Sequence, residues 1–175
     1  MSPTKSQMAG HTNGKPATDA SQIEIVREFL ESLAEGRIDG AVEMLGADVS
    51  YINVSLPTIR GRERVRGALR AAMGLPGAAF EVYLHSVSHD GDTVLTERTD
   101  VLIWGPLRMQ FWVCGRFDVL DGEIVLWKDY FDWVNVTLAM VRGLVGIIIP
   151  VLRARPPAPA GTPVGLGGKS MRPAK

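Results

Sequence analysis

The sequence is poor in the residues that most often carry chemistry on their own, with one cysteine, Cys114, and three histidines in 175 residues. A single thiol excludes an internal disulfide framework and any zinc site built from several thiolates. No histidine follows Cys114 in the chain, so it is read as a buried spectator rather than a nucleophile. His85 and His89 share a strand face four residues apart with no carboxylate at ligand spacing. They are therefore read as solvent-facing, and neither a metal nor another cofactor is expected. Net charge is missing too: 19 Lys and Arg balance 19 Asp and Glu, which argues against the basic field that drives sequence-independent nucleic-acid binding. An apolar leader is absent from the first residues, so export is not indicated and a cytoplasmic location is expected.

The neutral total hides unlike parts. Residues 1–20 hold Lys5, Lys15 and Asp19. Residues 153–175 hold Arg153, Arg155, Lys169, Arg172 and Lys175 without an acid. The middle, 21–152, keeps 12 of the 19 bases and 18 of the 19 acids, a net of −6. Both ends are rich in Gly, Pro, Ser, Thr or Ala and lack apolar periodicity, which predicts a flexible lead-in over 1–20 and a disordered basic tail over 153–175. Gly168-Lys169-Ser170 is like the end of a phosphate loop, but Pro163 stands where its first glycine should be, and the motif is set aside.

What is present in the middle is patterned. Ser21-x-x-Glu24 reads as a capping box for a helix running to Gly36, with Ile25, Val26, Phe29, Leu30 and Leu33 at helical spacing. A short helix is predicted over Ile38–Leu45, a strand over Val49–Val54 and a third helix over Arg62–Met73. Strands follow over 78–89, 93–104, 107–119 and 123–131, with turns at 89–92, Gly105-Pro106 and Asp121-Gly122. Helices first and a meander second is an α+β layout, with helices on one face of a curved sheet. Arg60, Arg62, Arg64, Arg66 and Arg70 form a basic run that is read as a solvated helix face.

Val134–Leu152 is the one stretch whose length approaches bilayer thickness. Arg142 near its middle would cost about 2.5–3.5 kcal/mol on insertion scales, so a membrane span is rejected. A helix closing the core, an apolar lid or a dimer surface remains.

Strand alternation then isolates three charges. Residues two apart share a face, so Arg98 and Asp100 lie with Val94, Thr96, Leu102 and Trp104, and Asp129 lies with Val125, Trp127 and Phe131. Tyr51 and Asn53 share a face in the first strand. Unpaired buried charges cost several kcal/mol each, so the arginine and the two aspartates are expected to meet. The cluster is then either a structural salt bridge or a catalytic site. Two carboxylates around one guanidinium sum to −1, and one added proton makes the cluster neutral, giving an acid and a base from identical side chains. Keeping an aspartic acid mostly protonated at pH 7 needs a shift of about 3 units from about 3.9, near 4 kcal/mol, which burial beside a second carboxylate can supply.

The strings Tyr51-Ile-Asn53, Leu95-Thr-Glu-Arg98-Thr-Asp100-Val-Leu102 and Trp127-Lys-Asp129-Tyr-Phe-Asp132 resemble the limonene-1,2-epoxide hydrolase family. Gln110–Gly115 and Arg142-Gly-Leu-Val145 resemble its bacterial branch acting on bulkier, lipid-like epoxides. The resemblance runs over residues 21–152. It implies a cone-shaped, cystatin-like α+β fold with a strongly curved sheet, a deep apolar pocket, a homodimer, and cofactor-free addition of water to a hydrophobic epoxide in one step. By the same resemblance Asp129 is the base, Tyr51 and Asn53 hold the water, Asp100 is the acid and Arg98 bridges the carboxylates; Asp132 stands outside the set. Leu30, Leu33, Leu102, Phe111, Val113 and Phe131 are expected to line the pocket. Free water is a poor nucleophile with a pKa near 15.7, and simultaneous push and pull on a strained ring activates it without a metal. Two other readings stay open on the residues alone: an isomerase or cyclase on the same cone, and a non-catalytic lipid-binding module in which the charges are structural.

Overall fold

Val26, Phe29, Leu30 and Leu33 recur at three- and four-residue spacing and turn one face of helix α1 (Asp19–Ala34) into the core, each no more than 1% exposed. The computed structural model describes residues 19–157 and 170–171. α1 is followed by α2 (Ile38–Glu43), β1 (Leu45–Asn53), the two-residue β2 (Ile59–Arg60) and α3 (Arg62–Met73). Four long strands come next: β3 (Ala78–Asp90), β4 (Thr93–Trp104), β5 (Leu107–Leu120) and β6 (Glu123–Phe131). The chain then forms α4 (Trp133–Ile148), a 3₁₀ turn at Pro150–Leu152 and β7 (Ser170–Met171).

The sheet order is β2-β1-β6-β5-β4-β3-β7. β3 to β6 form the expected antiparallel meander. The β5–β6 hairpin turns through Asp121 and Gly122, with φ of 52° and 85°, the pair of left-handed residues that a two-residue type I′ turn demands. β1 does not continue the meander. It lies parallel to β6, with Tyr51 opposite Trp127 and Asn53 opposite Asp129, so the sheet is mixed. α1, α2 and α3 cover one face, where Val42, Val49, Val65, Leu84, Phe117, Ile124 and Trp127 join the α1 residues in one core. The α+β expectation therefore holds.

Several boundaries differ from the sequence reading. α1 begins at Asp19, so Ser21 falls within the helix rather than at its first position. β1 begins at Leu45, four residues before the alternation becomes visible at Val49, because its first residues sit at an irregularity in the β1–β6 register. His85 stands at a β-bulge and hydrogen-bonds Thr99 Oγ1 at 2.8 Å. It and His89 are partly buried rather than solvent-facing, and Cys114 is likewise only partly buried. The basic run does lie at the surface, with Arg66 and Arg70 paired to Asp39 and Arg62 to Glu123. Residues 1–18, 158–169 and 172–175, which hold most of both predicted tails, lie outside the described residues.

α4 is apolar on nearly every side, yet only Ala139, Gly143 and Gly146 are buried. This small-residue face lies against β5, where Gly143 comes close to the Arg108 carbonyl and the Asn135 side chain accepts from the Trp112 backbone N–H at 3.1 Å. β6 ends opposite Val113, so α4 covers the edge that β5 would otherwise leave open. Its other side exposes Val134, Leu138, Val141, Val145 and Ile148, which excludes a fully buried helix. Among the described residues, no helix is long and apolar enough to cross a membrane.

Candidate active site

Three strands of the sheet bring the polar residues together. β4 supplies Arg98 and Asp100, β6 supplies Asp129, and β1 supplies Tyr51 and Asn53. The register does the rest, because Asn53 is the direct neighbour of Asp129 across the parallel pair. Arg98, Asp100 and Asp129 are 1%, 5% and 3% exposed, so an arginine and two aspartates that would be ordinary on a surface are here enclosed.

Arg98 lies between the carboxylates. Its Nε donates to Asp100 Oδ1 at 2.9 Å, its Nη2 to Asp129 Oδ1 at 2.7 Å and its Nη1 to Thr96 Oγ1 at 3.1 Å. The guanidinium also stands 5.9 Å from the centre of the Phe117 ring, within cation–π range. Trp127 Nε1 donates to Asp129 Oδ2 at 2.9 Å. Both Asp129 oxygens are thus engaged, while Arg98 meets Asp100 through Oδ1. Trp127 is positioned by Phe29, edge-on at 5.0 Å, and by Tyr51, stacked at 4.0 Å.

Burial pushes the Asp100 carboxyl up, Arg98 pulls it down, and the Asp129 charge raises it again, leaving it at about 6. Burial also raises Asp129, against the Arg98 charge and the hydrogen bonds from Arg98 and Trp127. Burial alone would weaken Arg98 as a base, but the two carboxylates outweigh it and hold the guanidinium charged. The Tyr51 phenol is raised by burial and by the Asp129 charge, so it stays a neutral hydrogen-bond donor. Asn53 Oδ1 is buried with no hydrogen-bond partner among the described residues.

Tyr51, Asn53, Asp100 and Asp129 open into a cavity of about 290 Å³ whose wall is otherwise mainly apolar, with Arg98 behind it. Of the six predicted lining residues, Leu33, Leu102, Phe111 and Phe131 line it. Leu30 and Val113 do not. Leu30, 0% exposed, packs into the α1 core, and Val113, also 0% exposed, lies beneath the cavity wall beside Phe111 and Ala139. Face sharing indicates that a side chain points inward, but not how deep along the cone it sits. The wall also takes Leu56, Leu69, Met73, Phe80, Trp104, Met109, Trp133 and Val136, most of them on elements whose approach to the cavity is a matter of tertiary packing. Trp127 is the functional contact that strand alternation came nearest to showing, since it shares a face with Asp129.

The sequence model of the limonene-1,2-epoxide hydrolase catalytic domain matches residues 20–142. The chain is 48% identical over 129 residues to epoxide hydrolase EphG of Mycobacterium tuberculosis, covering 74% of this chain and 85% of that protein. A solved LEH-like epoxide hydrolase of M. tuberculosis superposes with a TM-score of 0.74 at 45% identity, covering 79% of this chain and 97% of that one. The epoxide hydrolase/cyclase-like enzyme SalBIII, from polyether salinomycin formation, shares the fold alone, with a TM-score of 0.61 at 18% identity over 67% of this chain and 95% of that one. The chain thus has the cone-type α+β fold of these structures. It belongs to the limonene-1,2-epoxide hydrolase family, and it is an epoxide hydrolase.

Proposed function

We propose that the chain opens a hydrophobic, lipid-like epoxide in one step, with Asp129 as base and Asp100 as acid. The observation that carries this reading is the enclosed Asp100–Arg98–Asp129 cluster at the polar end of an apolar cavity. The cluster sums to −1 when fully ionised, and one added proton neutralises it. That proton belongs on Asp100, because Asp129 has two donors holding its anion and its charge raises Asp100 in turn.

A water beside Asp129 donates one proton to that carboxylate, while its other hydrogen and its lone pair are oriented by Asn53 Oδ1 and the Tyr51 hydroxyl. As the water oxygen bonds to a ring carbon, the ring C–O bond breaks and Asp100 passes its proton to the departing oxygen, so no free alkoxide forms. The product is a vicinal diol. Asp129 now holds a proton and Asp100 lacks one; transfer between them restores the starting state while Arg98 holds both. The apolar wall binds the hydrocarbon part of the substrate and excludes bulk water, which strengthens both proton transfers.

The assembly proposed is a homodimer, supported by the exposed apolar stripe of α4. Val134, Leu138, Val141, Val145 and Ile148 alternate at spacings of four and three, the seam that packs against another helix.

Paired substitutions test the chemistry. Asp129→Asn and Asp100→Asn, each an isosteric change, are expected to lower kcat by about 100- to 10,000-fold, the range for loss of general acid or base catalysis. Near-normal turnover by a folded Asp129→Asn enzyme would overturn the proposal.

A further inference from the structure

Gly115 occupies the middle of β5, the strand between the two that carry the carboxylates. Its register partners are Thr96 on β4 and Asp129 on β6. A glycine there is costly, by about 0.5–1 kcal/mol relative to alanine, because it adds unfolded-state entropy and packs nothing. The backbone does not require it, since Gly115 is not among the positive-φ glycines. The reason is space. A Cβ built on Gly115 would collide with Arg98 Nη1, stand 2.6 Å from Thr96 Oγ1 and 3.1 Å from Phe117 Cε2.

Those neighbours differ in how far they can yield. Phe117 needs to move by a few tenths of an ångström. Thr96 is buried, accepts from Arg98 Nη1 and lies 3.5 Å from the Gly115 carbonyl oxygen. Arg98 is the least free, because Nε and Nη2 are tied to the two aspartates while Nη1 faces Gly115. A methyl group at residue 115 therefore drives the guanidinium against or away from the carboxylates it bridges.

We infer that Gly115 is a positioning residue of this site: its missing side chain forms the slot in which the Arg98 guanidinium sits between Asp100 and Asp129. It touches neither substrate nor water, and it is not part of the cavity wall. The inference rests on the acid–base reading above for its effect on rate, but the slot itself is testable without turnover.

The test is Gly115→Ala made in two backgrounds, the natural chain and Arg98→Lys, whose side chain keeps a cation but lacks the Nη1 branch. In the natural background the alanine is expected to lower kcat by about 100-fold, the cost of misplacing reacting groups by an ångström. KM should stay within about threefold, because the cavity wall is untouched. Melting temperature should fall in the natural background and fall less in the Arg98→Lys background, where only Thr96 and Phe117 remain to yield, a non-additive cycle that places the main conflict on the guanidinium. If Gly115→Ala alone does not fold but the double variant does, the slot is supported in the same way. Unchanged kcat in a folded Gly115→Ala enzyme, or equal losses of melting temperature in both backgrounds, would overturn it. An alanine that fails to fold in either background, while Arg98→Lys alone folds, would also overturn it. Failure of the acid–base reading leaves its own mark, since Asp129→Asn would then retain turnover whatever the cycle shows.

Discussion

A proton shared by two carboxylates makes the enzyme's response to pH a residue-level property. As the proposed acid Asp100 must be protonated, and burial beside Asp129 pushes it up to about 6, so kcat/KM is expected to fall as pH rises beyond that value. On the acid side activity falls again as Asp129 takes up a proton, giving a bell-shaped profile that belongs to the pair rather than to either aspartate. Stability follows with a definite sign. Between about 4 and about 6 the folded chain binds a proton at Asp100 that the unfolded chain releases, so stability falls as pH rises through that window and levels off above it. Thermal melts across pH 4–8 check this, and Asp100→Asn should flatten that slope, leaving the part that comes from Asp129. Trp127→Phe keeps an aromatic ring for Tyr51 and Phe29 to pack on but removes the donor to Asp129 Oδ2. The Asp129 carboxyl should then rise further, moving the acid limb of the rate profile to higher pH.

At the scale of elements, the helix faces and the meander were legible because their periodicities are local, and so were the three charges, which share strand faces with Leu102 and Trp104 or with Trp127 and Phe131. The parallel pairing of β1 with β6 was not legible, since it joins residues more than seventy positions apart and leaves no trace in either strand's alternation. That pairing is what sets Asn53 beside Asp129. Gly115 was hidden for a related reason: its purpose is visible only once β4 and β5 are in register. α4 shows how far one element reaches, since its Trp133 and Val136 form cavity wall while its Gly143 lies against β5. A Cβ at Gly143 would stand 2.8 Å from the Arg108 carbonyl oxygen and 2.9 Å from Leu107. Gly143→Val is therefore expected to lift α4 from β5, raising KM more than it lowers kcat. Steady-state kinetics with a single apolar epoxide checks this, and an unchanged KM in a folded variant would contradict it.

For the whole molecule, the zero net charge is the least informative number, because the charge balance on which the proposed chemistry turns belongs to three buried residues. The larger unbalanced feature is the apolar side of α4. Leu138→Glu with Val141→Glu should convert a species of twice the chain mass to the chain mass in light scattering, and a natural protein that already runs as a monomer would contradict the homodimer. The central claim, one-step hydrolysis by Asp129 and Asp100 acting together, is tested most directly by a single turnover with enzyme in excess in ¹⁸O-labelled water. Direct attack by water predicts a diol carrying one ¹⁸O in that first turnover, with no label in the protein. An unlabelled first-turnover diol, with ¹⁸O appearing in an enzyme carboxylate, would mean that a side chain attacks the ring and would contradict the account.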